Sequence, residues 1–410
     1  MDKIYDICCG IDVHKKLIVA CLNHKRKKEL REFGATTREL MELAEWLQKN
    51  ECEIVAMEST GSYWKPLYNI MESYGLHAIV VNPAHMKAVP GRKTDVKDAE
   101  WIAELLQHGL LQPSYIPSKD QRELRELVQY RKSLVGERTR ELNRLQKMLE
   151  GANIKLSGTV TNINGKSARK ILEYILSGNE IDEKKYDEMY EEKLIAHNLK
   201  ASKEQILDDL KGFMSPLQRR MLKELLQHLD ELNVHIENLN DEIDNFMKPE
   251  EKQASQVIQD VTGIGNTSAQ TIIGTDMERF PSDRHISSWA GLCPGDNVSA
   301  KKRKSGKIRK GNALLKSTLV LCAHAAVRHK SSYFHAQFKR ISTHRGKKRA
   351  YVAVAHSILI AIYHILKDGV KYQDLGAEYY NQFNAERKIH AYLKKLKALG
   401  WEPPKEAVPA

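Results

Sequence analysis

A strict run of leucines and isoleucines lies between Leu222 and Phe246 and limits the folds that are open to this chain of 410 residues. Its apolar residues step by three and four positions without a break: Leu222, Leu225, Leu229, Leu232, Ile236, Leu239, Ile243 and Phe246. This spacing places them on one face of a helix and predicts a coiled-coil seam roughly 36 Å long at 1.5 Å per residue. We expect the chain to dimerise through this seam. A pairing within the chain, with a helix predicted over 119–149, fits the pattern nearly as well.

Strand and helix patterns alternate at the start of the chain. Apolar runs predict strands over 4–13, 17–23, 53–58 and 77–83, and helical periodicity covers 38–49. Between the last two strands, Ser62 can cap a helix whose first turn holds Pro66. This alternation is typical of an α/β layer, and we assign it to residues 1–115.

Four acidic residues stand where elements of this layer end or begin. Asp12 closes the first strand, Glu58 closes a later strand, and Asp95 and Asp98 share one face of a helical turn. Converging carboxylates of this kind can bridge and flank two Mg²⁺ ions for phosphoryl transfer. Each acid alone is typical of a solvated cap, and the last two alone fit the acids that a helix N-terminus favours. The four together favour a metal site.

An actin-like ATPase is a competing interpretation of the motif GIDVHK, because those proteins also carry an aspartate at the end of their first strand. Their folds generally need a glycine soon after that aspartate, so that backbone can approach a phosphate. Here Val13 and His14 follow Asp12. The motif therefore argues against this alternative.

A long stretch near the C-terminus carries positive charge only. Between Asn297 and Lys367 the chain has 17 Lys or Arg residues and no Asp or Glu, whereas the formal net charge of the whole chain is +12. Such a block attracts polyanions by counterion release. A solvated face or a disordered tail is the alternative, but apolar helical patterns over 313–327 and 350–366 interleave with the charges. The stretch therefore predicts nucleic-acid binding.

The densest part of this stretch surrounds two serines, Ser299 and Ser305. Seven of its ten residues from 301 to 310 are basic: Lys301, Lys302, Arg303, Lys304, Lys307, Arg309 and Lys310. Cations of this density can stabilise an attacking alkoxide and the charge that develops on phosphate, so either serine is a candidate nucleophile. A loop hydroxyl that only touches phosphate is the simpler interpretation of each.

Other functional classes are excluded by what the chain lacks. Its six cysteines are scattered without the spacing of a zinc site, which predicts reduced cytosolic thiols. We see no secretory signal, and the apolar run over 350–366 is short for a membrane span and carries His356 and His364, so we expect a buried helix.

A Gly-x-Gly turn in VTGIGNTSAQTII resembles helix-hairpin-helix modules, although it also fits a plain joint between two helices.

These motifs together resemble the DEDD transposases of bacterial insertion sequences whose recombinases are guided by a bridge RNA. The RuvC-like, RNase H-like N-terminal domain of that family matches GIDVHK, MESTGSYW and NPAHMKAVPGRKTDVKDA. The family's C-terminal transposase domain matches VTGIGNTSAQTII, SSWAGLCPGDNVSAKKRKSGKIRKGN, RGKKRAYVAVAHSIL and YQDLGAEYY. The resemblance covers nearly the whole chain.

The resemblance implies a role for each motif. Asp12, Glu58, Asp95 and Asp98 correspond to the acidic ligands of Mg²⁺, and Ser299 corresponds to a serine that forms a covalent phosphoserine with DNA. Many relatives have glycine where Lys301 stands. The family further implies a dimer or tetramer, donor and target DNA, a structured guide RNA and a place at the bacterial nucleoid, in the cytoplasm and away from membranes.

We therefore predict four regions: a RuvC-like α/β domain over 1–115, a helical coiled-coil region over 116–250, a mainly α transposase domain with a helix-hairpin-helix-like turn over 251–385, and a tail over 386–410. The predicted reaction is cleavage, exchange and rejoining of DNA strands. A RuvC-like junction nuclease would use the carboxylates and water without a protein nucleophile. An architectural or RNA-binding protein would use the basic surface alone.

Overall fold

The computed structural model describes residues 3–24, 27–59, 61–82, 98–195, 201–274, 277, 279–294, 297–299, 302–305, 308, 311–379 and 385–401. The chain divides into two compact units, Met1–Ser118 and Lys119–Ala410. The finer division of the second unit at residues 250 and 385 stays a prediction.

A six-stranded mixed sheet lies in the described part of the N-terminal unit. Its strands are β1 (Ile7–Val13), β2 (Leu17–His24), β3 (Lys27–Gly34), β4 (Ile54–Glu58), β5 (Ala78–Val81) and β6 (Pro113–Ser114). They lie in the order β3-β2-β1-β4-β5-β6, with β1, β4 and β5 parallel to one another and the other strands antiparallel to their neighbours. β1 is buried along its whole length, as expected for a strand covered on both faces.

Helices cover both faces of this sheet. They are α1 (Thr37–Lys49), α2 (Trp64–Ser73) and α3 (Asp98–Gln107). Alternate residues of β1, such as Cys9 and Ile11, join the core that includes α1 and α2, whereas Cys8 joins a separate core with Ile102 and Leu106 of α3. A mixed sheet between helices is compatible with the RNase H-like fold that the sequence predicts.

Two long helices dominate the first part of the C-terminal unit. In chain order the helices are α4 (Lys119–Gly151), α5 (Leu156–Thr159), α6 (Lys166–Leu176), α7 (Glu183–Glu191), α8 (Lys203–Leu210) and α9 (Pro216–Phe246). Ser215 and Gln218 form a capping box at the start of α9, and Pro216 occupies its first turn. α4 and α9 pack antiparallel, because Arg138 of α4 contacts Asn233 while Glu141, further along α4, contacts His228.

The predicted leucine seam is buried against α4 of the same chain. Leu232, Ile236 and Leu239 share a core with Leu134, and Leu222 and Leu229 join a core with Leu145 and Leu149 of α4 and with α5 to α8. Leu225 is half-buried and Phe246 is exposed, while Leu226 is buried in addition. The pairing within the chain, which the sequence left open, therefore accounts for the seam. Self-association stays a prediction.

The rest of the unit is also mainly helical. Its elements are α10 (Pro249–Ile258), α11 (Asn266–Ile273), α12 (Asp283–Trp289), β7 (Asn297–Ser299), β8 (Lys302–Ser305), α13 (Ala313–Ala326), α14 (Tyr333–Arg345), α15 (Lys347–Asp368) and α16 (Ala385–Ala398). One core joins α10 to α15 with Leu124, Val128 and Ile243 of the long helices. The region predicted as a tail from 386 therefore contains a helix, because Ile389, Tyr392 and Leu396 recur at helical spacing.

α15 is the one helix of the described residues that is long and apolar enough to cross a membrane. Its apolar side chains are used in the protein core, where Val354, Ile358, Leu359 and Ile362 have no exposed surface. Their burial agrees with the predicted buried helix.

Candidate active site

Asp12 and Glu58 stand at the same end of neighbouring parallel strands. The register pairs Ile11 of β1 with Met57 of β4, and the next residue on each strand is the acid. Both acids follow the alternation that points Cys8 of β1 and Ile54 and Ala56 of β4 towards α3. The side chains of Asp12 and Glu58 therefore belong to one face of the sheet, where Asp12 is 8% exposed.

Gly10 brings α3 close to this end of the sheet. A Cβ atom on Gly10 would lie 2.2 Å from the backbone nitrogen of Ala103 and 2.4 Å from the carbonyl oxygen of Ala99, so no larger residue fits without a shift of α3. α3 runs antiparallel to β1, because the carbonyl oxygen of its last residue, Gln107, accepts a hydrogen bond from the backbone nitrogen of Ile4, which precedes the start of β1. Asp98, the first residue of α3, is therefore at the end of β1 that carries Asp12.

Three of the four predicted metal ligands thus come to one end of one sheet face. Asp95 lies outside the described residues. Across the described ranges, no three His, Cys, Asp or Glu side chains are grouped closely enough to hold a metal ion. The chemistry of the donor set nevertheless fits Mg²⁺, because carboxylate oxygens are the hard ligands that this ion prefers.

His14 is a residue that our sequence analysis did not assign to the site. Its Nε2 atom lies 3.0 Å from Oδ2 of Asp12, and its side chain is 61% exposed. The backbone nitrogen of His14 donates to the carbonyl oxygen of Leu17 and closes the turn from β1 to β2. The motif GIDVHK contained the signal for this contact, because residues two positions apart in extended chain, such as Asp12 and His14, lie on the same face.

The predicted serine lies on a two-stranded hairpin rather than in a loop. Ser299 pairs with Lys302 beside the connection between β7 and β8, and Asn297 pairs with Ser305 at the open end. The strands are irregular between Asn297 and Val298. Of the seven predicted nucleic-acid-binding residues, the strand β8 holds Lys302, Arg303 and Lys304, while Lys301, Lys307, Arg309 and Lys310 lie outside the described residues.

Close packing fixes the point where the hairpin returns to the helices. A Cβ atom on Gly311 would lie 2.4 Å from the nitrogen of Gly291 and 2.6 Å from the carbonyl oxygen of Trp289. The next residue, Asn312, donates its backbone N–H to that same oxygen at 3.1 Å and caps α13 through its side chain. The chain that follows the hairpin is therefore held between the end of α12 and the start of α13.

Two sequence families match the two parts of the chain that carry these features. DEDD transposases of the IS110 type, described as "Transposase", match residues 9–154, and the "Transposase IS116/IS110/IS902 family" matches residues 255–339. Together they cover more than half of the chain. The chain belongs to the IS110 family of DEDD transposases.

Curated relatives agree with this assignment. The "Transposase for insertion sequence element IS1111A" of Coxiella burnetii is 24% identical over 357 residues, which cover 85% of this chain and 83% of the relative. The "Putative transposase y4pF/y4sB" of Sinorhizobium fredii is 23% identical and covers 81% of this chain and 77% of its own length. This transposase is thus a DNA-recombining enzyme, and its family generally implies the use of a divalent metal ion.

The Gly-x-Gly turn of the transposase makes a tight contact inside the C-terminal unit. Gly263 has a φ of 95°, and a Cβ atom there would lie 2.5 Å from the carbonyl oxygen of Cys322 in α13. Gly265, Asn266 and Thr267, by contrast, are exposed at the start of α11. The first glycine is therefore required for packing, and DNA contact by the exposed part of the turn stays a prediction.

Arg131 of the transposase is a charged residue of α4 that is buried. It is 2% exposed and donates hydrogen bonds to side-chain oxygens of Asn240 and Gln270 and to the carbonyl oxygen of Thr267. Gln270 in turn donates to Asp244 at 2.6 Å. Burial lowers the pKa of Arg131 to about 10, partly offset by Asp244. This network ties α4 to α9 and to the first turn of α11.

Proposed function

We propose that this transposase cleaves, exchanges and rejoins DNA strands with a Mg²⁺-dependent carboxylate site and a serine nucleophile. The observation that carries the proposal is the convergence of Asp12, Glu58 and Asp98 at one end of the sheet, in a chain whose second family match contains Ser299. The helices and the basic hairpin then serve to hold nucleic acid.

Asp12, Glu58, Asp98 and Asp95 would hold the Mg²⁺ ions. When bound, the ions supply charge that stabilises the attacking and leaving oxygens of the phosphate. Asp12 accepts a hydrogen bond from His14 in the tautomer that protonates Nε2, and this bond fixes the orientation of its carboxylate.

Ser299 provides the covalent step. Its Oγ atom attacks a DNA phosphate, the new Oγ–P bond forms, and the P–O bond to one DNA strand breaks as the proton lost by the serine passes to the leaving oxygen. The phosphoserine conserves the energy of the phosphoester, so the reverse attack by a strand hydroxyl rejoins DNA without ATP. The neighbouring cations of β8 favour the charge that develops on phosphate.

The partners follow from the family and from the charge. The acid-free stretch of the C-terminal unit fits donor and target DNA, and the resemblance to bridge-RNA-guided recombinases implies a structured guide RNA. We further expect a dimer or tetramer in which several protomers share the reaction, to be tested by light scattering of the full chain with and without nucleic acid.

A denaturing gel tests the nucleophile. The full chain is incubated with Mg²⁺, labelled insertion-sequence ends and RNA transcribed from the sequence that flanks the gene. We expect a protein–DNA adduct with the wild-type chain and none with Ser299→Ala, while DNA binding persists. An adduct formed by Ser299→Ala would contradict the assignment, and strand cleavage without any adduct would assign the chain to the RuvC-like junction nucleases.

A further inference from the structure

A second group of basic side chains lies on the surface of the C-terminal unit, about forty residues after the serine hairpin in the sequence. Residues 344–349, here called the basic turn, join α14 to α15 with the sequence HRGKKR. Gly346 ends one helix and begins the next with a φ of 80°, a left-handed value that favours glycine. A single residue thus reverses the chain, and Arg345, Lys347, Lys348 and Arg349 are all exposed around it.

Within the part of the chain that the structure describes, no acidic side chain neutralises these four cations. Among the described residues, none of the ion pairs involves them, and the surrounding sequence from 297 to 367 contains no acid at all. Elsewhere in the same unit, the exposed Lys170 and Lys211 and the half-buried Lys203 each contact a carboxylate within 2.9 Å. The basic turn therefore differs from an ordinary solvated helix surface.

The position of the cations on α15 also opposes helix stability. Lys347, Lys348 and Arg349 occupy the first turn, where the helix dipole is positive, and neither an acid nor a capping side chain is present there. Four neighbouring like charges repel one another as well. An anion that binds the turn relieves both effects, so this arrangement fits a ligand better than it fits the isolated protein.

The basic turn and the serine hairpin are associated with opposite ends of α13. The hairpin leads through Gly311 and Asn312 into the start of α13, whereas His324 in its last turn stacks on Tyr351, just after the basic turn, with ring centroids 3.6 Å apart. α13 has 14 residues and is about 20 Å long. That length corresponds to about six nucleotide steps of a duplex at 3.4 Å each.

We infer that the basic turn is a second binding site for the phosphodiester backbone of a nucleic-acid duplex, separate from residues 301–310. The inference rests on the proposed function only in that the chain must bind nucleic acid. A duplex fits better than a single strand, because single-strand sites combine cations with aromatic platforms, and Tyr351 here already stacks on His324 and packs against Phe338. DNA and RNA duplexes share the chemistry that the turn recognises.

Salt-dependent binding of the full chain tests this site. The test variant carries Arg345→Ala, Lys347→Ala, Lys348→Ala and Arg349→Ala, and fluorescence anisotropy measures its affinity for a labelled duplex over a range of KCl concentrations. Each lost phosphate contact changes the slope of log K against log[salt] by about 0.9, so we expect the slope to become shallower by about 3 to 4 units. The single change Lys348→Gln should make it shallower by about one unit.

A matched control separates a local site from net charge. The variant with Lys155→Ala, Lys170→Ala, Lys203→Ala and Lys211→Ala loses the same formal charge from lysines that contact carboxylates, and it should keep the wild-type slope. Equal changes in both variants, or a wild-type slope in the turn variants, would overturn the inference. Failure of the wild-type chain to bind any duplex would instead overturn the proposed function.

Parallel titrations with DNA and RNA duplexes of the same sequence identify the ligand. A shallower slope with either duplex supports the site and assigns it to that nucleic acid, and a shallower slope with both supports recognition of the shared backbone. Circular dichroism of each variant confirms that it is folded.

Discussion

The sheet of the N-terminal unit and the hairpin of the C-terminal unit hold their proposed catalytic residues by different means. Asp12 and Glu58 lie on neighbouring parallel strands of a sheet with helices on both faces. Asp98 lies on α3, which packs closely on β1 because Gly10 has no side chain. Ser299 stands on two short strands whose return is held by Gly311 and Asn312. We therefore expect catalysis and fold stability to be coupled in the sheet, whereas a change in the position of the serine on the hairpin should lower fold stability less.

Loss of one proposed metal ligand should have the largest effect on catalysis. Asp12→Ala removes one carboxylate of the donor set, and a loss of several kcal/mol of charge stabilisation corresponds to a roughly 1000-fold slower cleavage. DNA affinity should remain, because the phosphate contacts lie elsewhere. Cleavage by this variant at the wild-type rate in Mg²⁺ would remove Asp12 from the site.

Strand positions were predictable from sequence, whereas the contact that brings the helix to them was not. Apolar runs that end in Asp12 and Glu58 identify strand ends, and parallel neighbours place such ends together. Nothing in the local pattern around Gly10 reveals that Ala99 and Ala103 pack on it, since this contact joins residues about ninety positions apart. Local periodicity defines a face but does not identify its partner.

The same limit explains the other differences. The leucine seam predicted a buried face correctly, yet the choice between α4 and a second copy depends on the whole chain. The burial of Arg131 cannot be predicted from local sequence, because its acceptors, Asn240, Gln270 and Thr267, are remote in the chain. The hairpin was missed because its lysines lack the apolar alternation by which strands are recognised.

Two glycine substitutions test this difference between the sheet and the hairpin. Gly10→Ala forces α3 away from β1, so it should lower the free energy of unfolding by about 1–3 kcal/mol and slow cleavage together. Gly311→Ala displaces the base of the hairpin. The yield of the protein–DNA adduct should therefore fall, while the free energy of unfolding should change little. Denaturant unfolding and the adduct gel measure the two quantities on the same preparations.

Gly136→Ala is the control for both substitutions. Gly136 lies within α4, where an added Cβ would meet only the end of the Arg140 side chain at 3.5 Å. Alanine should therefore stabilise the chain by about 0.5–1 kcal/mol and leave cleavage unchanged. Gly10→Ala could instead slow cleavage at an unchanged free energy of unfolding, or lower the free energy of unfolding at an unchanged cleavage rate. Either result would show that chemistry and stability are not coupled in the sheet.

His14→Ala tests a smaller contribution to the sheet site. The variant removes the hydrogen bond to Asp12, and loss of a residue that orients a metal ligand typically lowers activity or metal affinity about 10–100-fold. Stability should not change, because most of the His14 side chain is exposed. His14→Gln, which can still donate a hydrogen bond, should recover part of the activity, and His24→Ala at the exposed end of β2 should have no effect. Equal cleavage by His14→Ala and the wild-type chain would make the contact incidental.

Ser305→Ala should give the smallest effect and completes the comparison within the hairpin itself. Ser299 lies beside the connection between β7 and β8, and Ser305 lies opposite Asn297 at the open end, so the two serines occupy different ends of the same pair of strands. If Ser305 only contacts phosphate, its loss removes one neutral hydrogen bond, and the adduct yield should fall by less than about tenfold, because such a bond contributes about 0.5–1.5 kcal/mol. Quantifying the adduct of Ser305→Ala beside that of Ser299→Ala decides between the serines. If Ser305→Ala formed no adduct and Ser299→Ala formed the normal amount, the nucleophile would be Ser305, at the open end of the hairpin.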